Sequence, residues 1–347
     1  ASAAGQRASG RLAGVASMSP ALMLGDSDDD IAQAAHTLAR GELLGLPTET
    51  VYGLAADALN PKAVAAVFQA KGRPADHPLI VHLASPDHVP EFAASVPAYA
   101  KALMAAFWPG PLTMIVQRRA GVADAAAGGH PTIALRCPSH PLALKVLQHA
   151  WQLGVKGVAA PSANLFGKVS PTTALHVREA FPLLTLLDGG ACQVGIESTI
   201  LDISQGAPVL LRPGMLHAAQ LSLVAGQTVQ GTPAKPFAFV PAAPGMLASH
   251  YAPRASVRMY SGQQIEQFAA TCPGQLAVWS RTPLSLPAHV LWRAMPAQAA
   301  ECAHVLFAQL RALDTLGVEH IWVETPPEAP AWDGVRDRLQ RASNGSS

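Results

Sequence analysis

Between residues 26 and 216 one pattern repeats: a short apolar run, a polar or glycine-bearing turn, a stretch with helical spacing, then another apolar run. That alternation limits the fold more than any other feature. Short runs that are apolar throughout fit strands covered on both faces, which places helices against a sheet in an α/β layout. The runs lie at 43–46, 79–83, 112–117, 132–136, 158–161, 184–187, 199–203 and 209–211. Helix starts punctuate them. Asn60-Pro61 offers a cap followed by proline at the first helical position, with Val64, Val67 and Phe68 on one face. Ser139 and the pair Ser170-Pro171 read as starts of the same kind. The acids Asp28, Asp29 and Asp30 precede the stripe Ile31, Ala35, Leu38, as a helix N-terminus prefers.

The composition changes over 217–250. Gly231-Thr232-Pro233, Lys235-Pro236, Pro241 and Pro244-Gly245 predict a stiff, irregular connector that serves as linker or lid. A second α/β pattern follows over 251–347, with strands at 257–260, 275–279, 289–292 and 320–324. A long amphipathic helix is expected over 297–316 and a last helix over 332–342. Residues 1–25, rich in Ala, Ser and Gly, read as a disordered tail, either transit-like or an extension upstream of a start such as Met18. The predicted organisation is thus a tail, an α/β domain at 26–216, a Pro-rich linker, and a smaller C-terminal α/β domain.

Half of the 347 residues are hydrophobic, enough for a sizeable core in each of two domains. Lys and Arg number 24 against 23 Asp and Glu, so the net charge of +1 argues against a surface built to coat a polyanion. A local basic pocket needs only a few cations and stays open. No uninterrupted apolar run reaches the roughly 18 residues of a membrane span. Cys137, Cys192, Cys272 and Cys302 lie far apart with no CxxC pair, which indicates neither a zinc ribbon nor a disulfide framework and suits a reducing cytosol.

Polar residues cluster where the apolar runs end. Thr48-Glu49-Thr50 and Gly53 follow the first run, as a ligand-binding turn or as a tight turn with self-satisfied hydroxyls. Lys71-Gly72-Arg73-Pro74 and His77-Pro78 form a stiff basic loop, because Arg forks onto phosphate oxygens and Lys adds a point charge. A solvated turn is the plainer reading. His82 sits inside an apolar run and fits a satisfied core histidine as well as a ligand contact. Arg136 closes an apolar run, where an unpaired charge is costly. It must meet an anion, either a substrate carboxylate or an Asp or Glu of the chain. Pro161-Ser162-Ala163-Asn164 and Ser170 enclose a small-residue loop that would admit a ligand to the backbone. Glu197-Ser198-Thr199 and Arg212-Pro213-Gly214 repeat the motif, and His250-Tyr251 stands at the domain junction. Ligands of open α/β sheets bind outside such strand ends. GxGxxG, P-loop, GxSxG and HExxH signatures are all missing from the sequence.

Taken together, the runs 47–54, 71–82, 161–164, 197–199 and 211–214 resemble the YrdC-type threonylcarbamoyl-AMP synthases, whose domain would cover about 26–216. The end of the chain, from His250-Tyr251-Ala252-Pro253 to Asp337-Arg338-Leu339 and Arg341-Ala342, is similar to the extra domain of the long, two-domain form. The resemblance implies a twisted mixed sheet flanked by helices. It implies formation of L-threonylcarbamoyl-adenylate and pyrophosphate from L-threonine, bicarbonate and ATP. The product would pass to a transferase that modifies tRNAs reading codons that begin with A, in the cytoplasm. Thr50, His82, Arg136, Ser198 and the backbone of Ala160 would form the threonine site. Arg73, Thr132, Ser162, Ser170, Arg212 and Tyr251 would form the ATP site, with Lys71 in the same basic loop as Arg73. His77, a further ATP-site candidate, stands where an Asn is common, and Val335-Arg336 where Ile-Asn is usual.

The implied reaction asks for alignment and charge neutralisation more than for a strong base, which suits the missing acid–base motifs. Lys71 and Arg73 are expected to carry the catalytic charge, helped by Arg212 and by Mg2+ held through phosphates and water. Three alternatives compete, one of them a regulatory domain that binds threonine or nucleotide without turnover. An RNA-binding module without catalysis fits poorly with near-neutral charge and no RNP-type aromatics, though weak RNA contact is compatible with the chain. A carbamoyl-transfer component of hydrogenase maturation would bring zinc-binding Cys pairs, which do not occur.

Overall fold

The structure is a computed structural model and describes residues 22–231 and 250–345. In the larger domain the strands lie side by side in the order Met23–Leu24, Thr185–Leu187, Leu44–Leu46, Gly53–Asp57, Val158–Ala159, Ile80–His82, Thr132–Arg136, Leu112–Arg118, Thr199–Asp202 and Val209–Arg212. The sheet is mixed. Ile80–His82 runs parallel to Thr132–Arg136, which runs antiparallel to Leu112–Arg118, which runs parallel to Thr199–Asp202. Ala93–Ser95 pairs off this path with Leu112–Arg118.

Local chemistry explains most boundaries. The helix Pro61–Lys71 starts where the Asn60 side chain accepts from the amides of Lys62 and Ala63, and ends at Gly72 with φ 63°. The helix Asp28–Ala39 starts at Ser27, whose hydroxyl accepts from the Asp30 amide, ahead of three acids in its first turn. Two expected starts move. His140, not Ser139, precedes the helix Pro141–Gln152. No helix begins at Ser170; Thr173 caps a later one, Ala174–Ala180, and the Ser170 hydroxyl is used elsewhere.

Three further readings are corrected. The expected tail of 1–25 ends early, because Met23–Leu24 pairs in parallel with the strand Thr185–Leu187 and buries Leu24. The polar turn after the first run is the loop of a hairpin, and its second strand is Gly53–Asp57, antiparallel to Leu44–Leu46. The irregular connector predicted from 217 begins as a helix, Ala218–Ala225, which buries Leu221 and Ala225 in the main core. Composition weighted by the later prolines hid that helix. The rest of the expected linker or lid, 232–249, and the expected tail over 1–21 lie outside the described residues.

The smaller domain is a parallel sheet in the order Ser256–Tyr260, His320–Glu324, Leu276–Ser280 and Leu291–Ala294. Helices Gly262–Ala269, Ala299–Thr315 and Asp333–Asn344 flank it. In Ala299–Thr315 the buried positions Cys302, Ala303, Leu306, Phe307, Leu310 and Leu313 follow helical spacing. This core does not stop at the domain edge. Val51, Val169 and Ile196 of the larger domain pack into it with Tyr251, Phe307 and Val335. Among the described residues no helix is long and apolar enough to cross a membrane.

Candidate active site

The cleft forms where strands of the larger sheet end beneath the smaller domain. Its described lining runs from Thr48, Thr50 and Gly53 through Arg73, Ile80, His82, Arg136, Ala160 and Ser162 to Glu197, Ser198, Arg212, His250 and Tyr251. Each wall is placed by simple means. Thr48 organises the first turn: its hydroxyl donates to the Val51 carbonyl at 2.6 Å and accepts from the amides of Thr50 and Val51. The loop 161–171 docks on that turn, with the Leu54 amide donating to the Pro161 carbonyl at 2.7 Å and the Tyr52 amide to the Pro171 carbonyl at 2.9 Å. Gly53 permits the approach, since a Cβ there would stand 2.9 Å from that of Ala160.

Arg136 closes its strand on the cleft, and its anion is Glu49. One terminal nitrogen, Nη2, donates to Glu49 Oε1 at 2.5 Å, Nη1 donates to Thr50 Oγ1 at 2.9 Å, and Nε to the Gly110 carbonyl at 3.3 Å. A guanidinium has five N–H groups. Three are thus taken, and the other two have no protein partner among the described residues. His82, opposite, is buried, and burial reinforced by Arg136 pulls its pKa down to about 3, so it is a neutral imidazole. Its Nδ1 is buried without a partner.

A second group of cations faces the same space. Arg73 donates from Nη2 to the Pro78 carbonyl at 3.1 Å, leaves Nε buried and unmatched, and lies 6.0 Å from the Phe166 ring. Arg212 donates from Nε to the Ser198 carbonyl at 3.0 Å and from Nη2 to the Ser198 hydroxyl at 3.2 Å. Ser198 also shares a 2.7 Å bond with Thr113. Burial lowers the pKa of both Arg73 and Arg212 to about 10, which leaves both charged at neutral pH. The Tyr251 hydroxyl is buried without a partner, on a residue whose backbone sits at φ 63°.

Of the residues singled out in the sequence, Thr50, Arg73, His82, Arg136, Ala160, Ser162, Ser198, Arg212 and Tyr251 share this cleft. Four stand apart from its lining. The Lys71 ammonium is buried, and it donates to the carbonyls of Ser162 and, at 2.5 Å, Asn164. That makes it a brace for the small-residue loop, and burial drives its pKa well down. Ser170 is fully buried and donates to Glu197 Oε1 at 2.5 Å. Thr132 lies four residues before Arg136 on the same strand face, its hydroxyl buried and unpaired. His77 is partly exposed, its ring 5.8 Å from that of Phe166.

Two structural partners escaped sequence reasoning. Glu49 was in view within the first motif, and Arg136 called for an acid, but nothing in the sequence joined them across 87 positions. Arg338 lies in the last helix and is fully buried. Its Nε donates to Glu197 Oε2 at 2.8 Å, Nη2 to the Glu197 carbonyl at 3.1 Å, and Nη1 to the Pro213 carbonyl at 2.7 Å and to Asp337 at 2.8 Å. Burial by itself would raise the Glu197 carboxyl, but Arg338 and Arg212 hold it below the usual range. A hint was available in the sequence: an Arg at 338 falls between Val335, Leu339 and Ala342 on the apolar stripe of that helix. Among the described residues no group of three His, Cys, Asp or Glu could hold a metal ion.

Comparison with known proteins places the chain in a family. A family profile of the Sua5, YciO and YrdC group, described as "Telomere recombination", matches residues 36–214. A second, described as "Threonylcarbamoyl-AMP synthase, C-terminal domain", matches residues 216–344. The threonylcarbamoyl-AMP synthase of Pyrococcus abyssi is 39% identical over 321 residues, covering 89% of this chain and 93% of that relative. The protein of that name from Bacillus subtilis is 36% identical over 333 residues, covering 93% and 95%. The crystal structure of P. abyssi Sua5 complexed with L-threonine is similar with a TM-score of 0.85 at 35% identity, covering 94% of this chain and 98% of that one.

Proposed function

This chain belongs to the threonylcarbamoyl-AMP synthase family, and from that premise we propose how its cleft makes the adenylate from L-threonine, bicarbonate and ATP. The observation that carries the reading is the meeting of two cationic groups in one cleft, Arg136 with Thr50 and His82 on one side, Arg73 and Arg212 on the other. The first suits the carboxylate and hydroxyl of threonine. The second suits a polyphosphate.

The chemistry needs no strong base from the protein. The threonine amine adds to bicarbonate with loss of water to give a carbamate. A carbamate oxygen then forms a bond to the α-phosphorus of ATP as the bond to the bridging oxygen of pyrophosphate breaks. What the chain supplies is position and charge. Arg136 receives the threonine carboxylate on its two unused N–H groups. His82, held neutral, offers an uncharged hydrogen-bonding edge rather than a competing cation. Arg73 and Arg212 face the phosphates and stabilise the charge that gathers on the leaving pyrophosphate. Ser162 and the Ala160 backbone line the wall between the two groups. Lys71 contributes through the loop it braces, and Ser170 through Glu197.

Mg2+ enters this reading as part of the MgATP substrate. The carboxylate in the described lining is Glu197, and both its oxygens are engaged by Ser170 and Arg338, so the donor set does not suit a resident cation. No step is assigned to the metal. We also place the protein in the cytoplasm, handing its adenylate to a tRNA-modifying transferase. The test is direct: supply the purified chain with L-threonine, bicarbonate and MgATP, and follow the carbamoyl-adenylate by mass spectrometry and pyrophosphate by a coupled assay. Threonine-dependent release of both is expected. Release that does not depend on threonine would sink the proposal.

A further inference from the structure

We propose that Arg338 is a positioning residue of the active site, reaching from the smaller domain to hold the Glu197–Ser198 turn and the Arg212–Pro213 corner in register. The inference rests on the synthase reading above and adds a task for the C-terminal domain.

Arg338 grips two separate segments of the wall. Its bonds to the Glu197 carboxylate and carbonyl fix the residue before Ser198, and its bond to the Pro213 carbonyl fixes the residue after Arg212. Ser198 and Arg212 are themselves bonded to each other and face the cleft. One guanidinium therefore sets the distance between a hydroxyl and a cation that must act on the same pair of substrates. Only a planar fork can do this. An ammonium carries its three N–H groups on a flexible stem and does not offer the rigid, planar spread of donors that spans these acceptors.

Independent contacts show that the smaller domain is built onto these segments. A Cβ at Gly334, one turn before Arg338, would stand 2.8 Å from the Gly214 carbonyl oxygen and 2.8 Å from Ile196 Cδ1. Gly195 meets the other long helix so closely that a Cβ would lie 2.4 Å from the His304 carbonyl oxygen. The His304 ring bonds to the Gln193 carbonyl at 2.9 Å. Arg311 donates to the Val169 carbonyl at 2.5 Å, beside the Ser170 that holds the other oxygen of Glu197. The wall is gripped at 169, 193–198 and 213–214 by two helices of one domain.

The experiment compares the full chain with Arg338→Met, Arg338→Lys, Glu197→Gln and the double variant Arg338→Met/Glu197→Gln. Thermal unfolding and kcat/KM for both L-threonine and MgATP are measured on each. Arg338→Met is expected to lower kcat/KM for the two substrates alike, by roughly 10- to 100-fold, because both contacts shift together. Arg338→Lys should fall between it and the wild type. The double variant is decisive. Removing both charges should recover the thermal stability lost in Arg338→Met, while kcat/KM stays at the level of the single variants. Activity that returns with stability would reduce Arg338 to a packing partner and overturn the proposal. So would losses that multiply in the double variant, which would separate Arg338 from Glu197, or wild-type kcat/KM in Arg338→Met. If Arg338→Met does not fold, Arg338→Lys and the double variant carry the same comparison. A wild-type chain without turnover overturns the synthase reading and this inference together, whereas an active wild type with unaffected variants overturns this inference alone.

Discussion

Replacing Arg136 by lysine separates its observed bond to Glu49 from its proposed duty of receiving the substrate carboxylate. Lysine keeps the positive charge next to Glu49, so the buried pair survives and the fold with it. What disappears is the fork. In the wild type two N–H groups remain for the carboxylate after Glu49, Thr50 and Gly110 have taken theirs. A hydrogen bond to a charged group is worth about 1.5–3 kcal/mol. Losing one of the pair should therefore cost about 2 kcal/mol, or roughly 30-fold in Kd at about 1.4 kcal/mol per decade. The assay is calorimetric titration with L-threonine and with L-threoninamide, which has the same side chain and amine but no carboxylate. Arg136→Lys is expected to weaken threonine by that factor and threoninamide by only a few-fold. Equal losses for the two ligands would refute the reasoning. They would mean that Arg136 shapes the cleft through Glu49 and never touches the carboxylate.

Two other outcomes follow from the same structure. Burial lowers the pKa of His82 to about 3, of His176 to about 4 and of His250 to about 4, against an ordinary value of 6.5. The unfolded chain therefore binds protons that the folded chain refuses, so this stability is full above about pH 6.5 and drains as pH falls toward 4, with each imidazole contributing a slope approaching about 1.4 kcal/mol per pH unit. Urea midpoints at pH 7.5 and 5.0 should differ, the lower pH being weaker, and coincident midpoints would contradict the burial assigned to these rings. Gly195→Ala should cost more than Gly190→Ala in thermal unfolding. Both glycines have positive φ, 85° and 77°, but a Cβ at 195 strikes the His304 carbonyl while one at 190 meets nothing within 4 Å. The shared backbone penalty is about 1 kcal/mol, and the clash adds to it only at 195. Equal shifts for the two variants would show that the domains are not in the contact described.

The alternation of runs made the α/β class legible, because burial on both faces leaves an unmistakable apolar signature in Ile80–His82 or Thr132–Arg136. The site was legible for a related reason: Thr50, Arg136, Ser198 and Arg212 stand at or beside strand ends, where polar residues interrupt that signature. What stayed hidden was long-range pairing. Ser170 looked like a helix cap because Ser-Pro is a common cap, yet its hydroxyl serves Glu197, and Thr173 caps the helix instead. Lys71 looked like a phosphate clamp because it sits beside Arg73, yet two carbonyls of a loop 91 and 93 positions away claim its ammonium. Local pattern decides which side chains are polar and where they stand. It does not decide whether a ligand or the chain itself satisfies them.

That ambiguity has a physical source, and it bears on how the cleft works. Arg73, Arg136 and Arg212 are all largely buried, and burying a cation costs free energy unless an anion or hydrogen bonds compensate it. The chain meets this cost in part only. Glu49 compensates Arg136, Glu197 stands between Arg212 and Arg338, and Arg73 keeps a buried Nε with no partner. A triphosphate brings negative charge to the Arg73 side of the cleft, where it is short. The lowered pKa of Arg73 and Arg212 is the same statement in another form: both guanidiniums are less well solvated here than in water, so an arriving phosphate gains more than it would from an exposed arginine. Under the proposed function the shortage of internal compensation favours binding, and it fits with the protein's own carboxylates being tied back by Arg136 and Arg338.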